Sequence, residues 1–169
     1  EIIETARKHN LVVIEDAAHA VGAKYKDRMV GSIGDMTVFS FHAVKNLTTA
    51  EGGMLTTDND KWAESIRLWS LHGQNKNALD KFHEDSWSYE IKVPGYKYNM
   101  TDIQAAMGIH QLARLEQMIS IRERYANIYD EGLGELSHIV LPRSIGPVRH
   151  ARHLYMIRLV PEALSISRD

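Results

Sequence analysis

Ile2, Ile3 and Ala6 recur at helical spacing, and Asn10 suits a helix C-terminus. Leu11-Val12-Val13-Ile14 is then an unbroken apolar run ending in Glu15-Asp16, which predicts a central strand buried on both faces, as in a parallel sheet. Residues 17–22 are mostly small, a stretch where backbone can approach a ligand closely. Residues 36–41 read as a second strand and 54–57 as a short third one. Asp58-Asn59-Asp60 is a turn and cap for a helix carrying Trp62, Ile66 and Trp69, whose tryptophans read as core. Residues 73–98 are polar and irregular, with Pro94 and Gly95 near the end, and so read as a long functional or mobile loop. Thr101-Asp102 caps a long helical pattern in which Ile103, Ala106, Met107 and His110 share a face. Leu115, Met118, Arg122, Tyr125 and Tyr129 continue it until Gly132 and Gly134. Residues 153–160 return as a strand ended by Pro161. Strands separated by helices, then a long helix and a new strand, predict an α/β fold with a second unit starting near residue 116.

Composition narrows the class. A chain of 169 residues, 44% hydrophobic and 25% charged, can bury a core and is not a disordered segment. Twenty basic residues against twenty-two acidic ones give a formal charge of −2, which disfavours a nucleic-acid partner. No apolar stretch is long enough for a transmembrane helix, and the absence of cysteine excludes disulfides, thiolate zinc sites and a cysteine nucleophile. The first helix reads as entered partway, and the closing Ser165-Ile166-Ser167-Arg168-Asp169 as the opening of a helix, so the chain is expected to be a piece of a longer one.

An acid and an amine carry the candidate chemistry. Asp16 follows a strand, where open α/β sheets place their ligands, although a strand-end acid serves equally well as a helix cap. Lys45 follows the second strand among apolar, small and hydroxyl residues, a setting for a partly buried amine of lowered pKa rather than a solvated surface charge. A lysine that can form a Schiff base, with an acid at another strand end, is the pair that pyridoxal phosphate requires. The aldehyde needs an amine, and the ring nitrogen needs a carboxylate to keep it protonated. Ser40 and nearby turns offer donors to a phosphate. His150 and His153 sit in a strand-like stretch whose spacing puts them on opposite faces, which argues against a metal there, and His72 and His83 read as solvent-facing. No G-x-G-x-x-G follows either early strand, and Gly31-Ser32-Ile33-Gly34 lacks the P-loop lysine.

These residues fall in ordered motifs. Glu15-Asp16-Ala17-Ala18-His19-Ala20-Val21-Gly22-Ala23 is one. Phe39-Ser40-Phe41-His42-Ala43-Val44-Lys45-Asn46-Leu47-Thr48-Thr49-Ala50-Glu51-Gly52-Gly53 is a second, and Pro94-Gly95-Tyr96-Lys97-Tyr98-Asn99-Met100-Thr101-Asp102-Ile103-Gln104-Ala105-Ala106 a third. Together they resemble the DegT/StrS-type sugar-nucleotide aminotransferases over nearly the whole chain, most of all the arabinose-type members that act on a UDP-linked 4-keto-pentose.

The resemblance implies fold type I of the pyridoxal-phosphate enzymes, the aspartate aminotransferase-like fold. Residues 1–115 would form part of an incomplete three-layer α/β/α large domain, and 116–169 a long helix and the start of the small C-terminal domain. It implies pyridoxal 5′-phosphate as cofactor, with amino transfer from L-glutamate, giving 2-oxoglutarate, to the C4 keto group of a nucleotide-linked sugar. The setting would be amino-sugar biosynthesis for cell-surface polysaccharide or lipid A, in a cytoplasmic homodimer with shared active sites and no membrane or nucleic-acid partner. By matching position, Lys45 would hold the cofactor covalently and shuttle a proton, and Asp16 would hold the ring nitrogen. His19 would lie on the 3-hydroxyl side, Ser40 would bind the phosphate, and Asn99 would reach the phosphate of the neighbouring subunit's cofactor. An alternative for Asn99 is a plain residue of a helix N-terminal turn. The ring-stacking aromatic and a phosphate-binding turn lie upstream in the family, so this chain would hold half a cofactor site. Two other readings remain: a sugar dehydratase of the same fold, in which histidine replaces the lysine, and a non-catalytic regulatory or binding homologue.

Overall fold

The computed structural model describes residues 1–75 and 88–163. Helix α1 (Ile2–Lys8) ends where Asn10 takes a left-handed backbone, and the chain then enters β1 (Ile14–Asp16). Strand β1 pairs in parallel with β4 (Met36–Ser40), in the register Asp16 opposite Val38. Strand β4 in turn pairs antiparallel with β5 (Gly53–Thr56), so the sheet is mixed, in the order β1-β4-β5.

The first strand departs from expectation. It starts at Ile14 rather than Leu11, because the Val13 N–H turns to the Asp35 carboxylate at 2.8 Å instead of a ladder. Nor is it buried on both faces: Leu11, Val12 and Ile14 are exposed, and β1 has no second strand neighbour among the described residues.

Between β1 and β4, the strands β2 (Lys24–Tyr25) and β3 (Arg28–Met29) form a hairpin whose tip, Lys26-Asp27, has positive φ at both positions. That geometry matches the twist of the flanking strands. A later strand, β7 (Val148–Arg149), adds to the other side of β2. Helix α2 (Asp60–Ser70) starts at Asn59, whose side chain caps the Trp62 N–H. It buries no residue fully, and Trp69 stays 37% exposed with its ring 6.0 Å from that of Tyr96. The tryptophans therefore line a surface helix rather than a core.

The long helical pattern is two helices. Helix α3 (Asp102–Ala113) begins with a complete capping box between Thr101 and Gln104. At Arg114 (φ −103°, ψ 0°) the backbone leaves helical geometry, and α4 (Leu115–Leu133) starts at the next residue. Gly132 lies inside α4 and Gly134 caps it. The expected strand at 153–160 shrinks to β8 (Arg158–Leu159), paired with β6 (Ile139–Val140) and followed by a 3₁₀ turn at Pro161–Ala163.

The core joins these pieces. Val21, Phe41 and Leu47 are buried together, with Phe39, Met100 and Leu115 against them. Ile119 of α4 is the most deeply buried large side chain, 1% exposed. A Cβ at Gly22 would stand 2.0 Å from its Cδ1, and Gly22 has φ of +81°. At Gly22 the small-residue stretch thus lets backbone approach a helix. Arg149 of β7 reaches Glu116 at 2.6 Å and Glu123 at 2.9 Å, fastening the second small sheet to α4, and these carboxylates, Glu116 first, raise the guanidinium's pKa.

Candidate active site

Parallel pairing puts the C-terminal ends of β1 and β4 at one edge of the sheet, and the functional candidates follow from that placement. Asp16 closes β1, where its Oδ1 accepts the Ala18 N–H at 3.0 Å and so is fixed by the turn it starts. Ser40 closes β4. Its Oγ accepts the His42 N–H at 3.3 Å, which leaves the hydroxyl proton free to donate to an anion. Lys45 is half-buried in the loop that follows, its own N–H given to the His42 carbonyl at 2.9 Å.

That loop is built from internal bonds. The Phe41 carbonyl accepts both the Thr49 N–H and the Thr48 hydroxyl, the Phe41 N–H reaches the Gly52 carbonyl, and the fully buried Thr49 donates to Glu51. Gln104 of α3 donates to the same Glu51 carbonyl at 2.8 Å, so the helix clamps the far side of the loop.

Asp16 and His19 line a cleft of about 330 Å³ together with Arg143, His150, Arg152 and His153. The imidazoles of His19 and His153 meet with ring centroids 4.4 Å apart. Burial, then the charges of His19, Lys45 and Arg122, push the His153 pKa below its ordinary value. His150 is likewise lowered, first by burial and then by Arg152, and its Nδ1 accepts the Arg152 N–H at 2.9 Å.

Here the expectation that His150 and His153 face opposite ways fails. Residues 150–157 are not a strand, so alternation does not apply and both imidazoles line one cleft. Among the described residues no group of three or more His, Asp or Glu could hold a metal ion. His72 is exposed as expected, and His83 lies outside the described residues.

Asp16 and Ser40 therefore end neighbouring strands at one edge, His19 lines the cleft with Asp16, and Lys45 lies in the loop that follows Ser40. Asn99 does not join them. It is exposed two positions before the cap of α3, accepts a hydrogen bond from Lys97, donates to the Met100 carbonyl at 3.4 Å, and lines a separate cleft against α2. Reading the sequence missed Asn46 and His153 as site residues. The available signal was a lone carboxamide directly after the candidate lysine, but its partner lies in another part of the chain.

Among the described residues no helix is long and apolar enough to cross a membrane. A family model described as the DegT/DnrJ/EryC1/StrS aminotransferase family matches residues 1–169. The chain is 51% identical over 169 residues to an uncharacterized protein of Methanocaldococcus jannaschii, covering 99% of this chain and 44% of that one. It is 48% identical to the spore coat polysaccharide biosynthesis protein SpsC of Bacillus subtilis, covering 99% and 43%. It thus spans less than half the length of the curated relatives it matches. Among solved structures, a protein of Streptococcus pneumoniae described as a sugar aminotransferase, in its PMP form, superposes with a TM-score of 0.80 at 42% identity, over 92% of this chain and 41% of that one. Helicobacter pylori PseC, an aminotransferase involved in the biosynthesis of pseudoaminic acid, gives 0.83 at 30%, over 92% and 40%. The fold is accordingly part of fold type I of the pyridoxal-phosphate enzymes.

Proposed function

Because this chain belongs to the DegT/DnrJ/EryC1/StrS aminotransferase family, we propose that it carries part of the active site of an enzyme that moves an amino group from L-glutamate to the C4 keto group of a nucleotide-linked sugar. The observation that carries the reading is the placement of Asp16 and Ser40 at the ends of two adjacent parallel strands, with His19 in the cleft that Asp16 lines and Lys45 in the loop after Ser40.

The donor set fits the family's cofactor, pyridoxal 5′-phosphate, which supplies an aldehyde for an amine to take up and a ring that withdraws electrons from it. Lys45 Nζ is the amine that holds it and the base that moves the proton of the transfer. Asp16, fixed by the Ala18 N–H, keeps a proton on the ring nitrogen through opposite-charge attraction. His19 would lie on the 3-hydroxyl side of the bound ring, and the Ser40 hydroxyl, its proton free, would donate to the phosphate. Asn99, apart from that cleft, would serve the phosphate held by the neighbouring subunit of a cytoplasmic homodimer. Residues 1–115 belong to the large domain and 116–169 begin the small one.

The relatives differ in pathway, one serving spore coat polysaccharide and another pseudoaminic acid, so the sugar is the variable to test. A UDP-4-keto-pentose heads the panel, consistent with amino-sugar synthesis for lipid A or another cell-surface glycan.

The test uses the full-length protein with L-glutamate and a panel of nucleotide-linked keto sugars. Wild type should form 2-oxoglutarate and amino sugar together. Lys45→Ala should abolish this with circular dichroism unchanged, and Lys45→Arg should be equally inactive, because a guanidinium stays protonated and cannot attack an aldehyde. Positioned proton transfer alone contributes about 10²–10⁴-fold, so either variant keeping more than about a thousandth of the rate would overturn the assignment. Loss of water from the sugar without glutamate consumption would instead mark a dehydratase, and binding without turnover a regulatory homologue.

A further inference from the structure

The loop bearing Lys45 is tied to a distant part of the chain through the next residue. Asn46 is buried, 6% exposed, and its Nδ2 donates to the Ala151 carbonyl at 2.6 Å. The other end of the carboxamide, Oδ1, stands 3.1 Å from Nδ1 of His153. A backbone carbonyl can only accept, so the amide must turn its NH₂ to Ala151 and its oxygen to His153. An amide oxygen also only accepts, so Nδ1 of His153 must carry a proton. The neutral ring then has its lone pair on Nε2.

We propose that Asn46 is a positioning residue: it fixes His153 as the Nδ1–H tautomer, which leaves Nε2 as the acceptor of a ring packed against His19, and it holds the Lys45 loop to the 151–153 segment. The ring pair is already in contact, with centroids 4.4 Å apart, and both rings line the cleft that contains Asp16. Burial and the neighbouring positive charges lower the His153 pKa, which favours the neutral ring. The Arg122 guanidinium donates to the Arg152 carbonyl at 3.4 Å, bracing the segment from α4. The tautomer stands independently of the amino-transfer reading. The purpose of the fixed ring, packing against His19 on the side of the cleft where the cofactor would sit, rests on it.

Two measurements separate these parts. Long-range ¹H–¹⁵N spectra of the histidines in the full-length protein without cofactor should show His153, assigned by its loss in His153→Gln, protonated at Nδ1 and bare at Nε2. In Asn46→Leu that preference should collapse to a mixture. The opposite tautomer in wild type, or an unchanged His153 in Asn46→Leu, would overturn the proposal, and the wild-type spectrum decides even if the variant fails to fold. In the loaded enzyme, Asn46→Leu should lower kcat by about 10–100-fold, the usual cost of removing a group that orients a site residue, with KM for glutamate changed by no more than about threefold. An undiminished kcat would refute the positioning role. A wild type without amino transfer would refute the functional reading and leave the tautomer result standing.

Discussion

At the scale of single residues, Asp16 and Gly22 answer to different demands. Asn at position 16 is nearly isosteric and can still take up the Ala18 N–H, but it bears no charge to keep a ring nitrogen protonated. Asp16→Asn in the full-length protein should therefore retain cofactor, seen by visible absorption, and lose most amino transfer. A wild-type rate would reduce Asp16 to the cap of its turn. Gly22 has no freedom to acquire a side chain: its φ is +81° and a Cβ would press on Ile119. Gly22→Ala should destabilise the fold by about 1–3 kcal/mol, combining overpacking with a left-handed backbone, and a denaturant midpoint measures it. Asp16, Lys45 and their neighbours were legible because each motif is continuous in sequence. Asn46 and His153 were not, because the hydrogen bond between them spans 107 positions and no local pattern announces it.

Among the elements, polar capping proved more legible than length. Asn59 and Thr101 stand where the sequence places them, since a cap is a local hydrogen bond between a side chain and backbone a few residues on. Thr101→Ala removes the acceptor for the Gln104 N–H and dissolves the box. It should cost about 0.5–2 kcal/mol, read from thermal unfolding, and Thr101→Ser should restore most of it. The break between α3 and α4 was hidden because Arg114 is neither Gly nor Pro, and the apolar spacing continues across it. The two-residue strands β2, β3, β6, β7 and β8 are too short to show alternation at all. They exist through tertiary pairing, as when β7 finds β2 across the chain.

For the molecule as a whole, the α/β class was legible from alternating strands and helices, whereas the position of the 142–156 segment over the strand ends was not. That segment brings His150 and His153 into the cleft, where burial first, then Arg152 for one and His19, Lys45 and Arg122 for the other, lowers their pKa below the ordinary 6.5. The sign follows from proton counting. Below about pH 6.5 the unfolded chain binds protons at these sites that the folded chain resists, so stability is full above that pH and falls as the pH drops toward the lowered values. Unfolding midpoints should decrease between about pH 7.5 and about pH 5.5, a window in which imidazoles titrate. His153→Phe should flatten the decline. Equal stability at both values would show that the cleft tolerates charged imidazoles.

The anchor of Asn46 on Ala151 has a consequence in time as well as in space. The two residues are 105 positions apart. A ribosome adding about 5–20 residues each second needs roughly 5–20 s to cover that distance. Throughout that interval the Lys45 loop has its internal bonds and, once made, its clamp from Gln104, but not its anchor on Ala151. The cleft lined by Asp16, His19, His150 and His153 is thus complete only once the 150–153 segment has been made, well after the residues of the Lys45 loop.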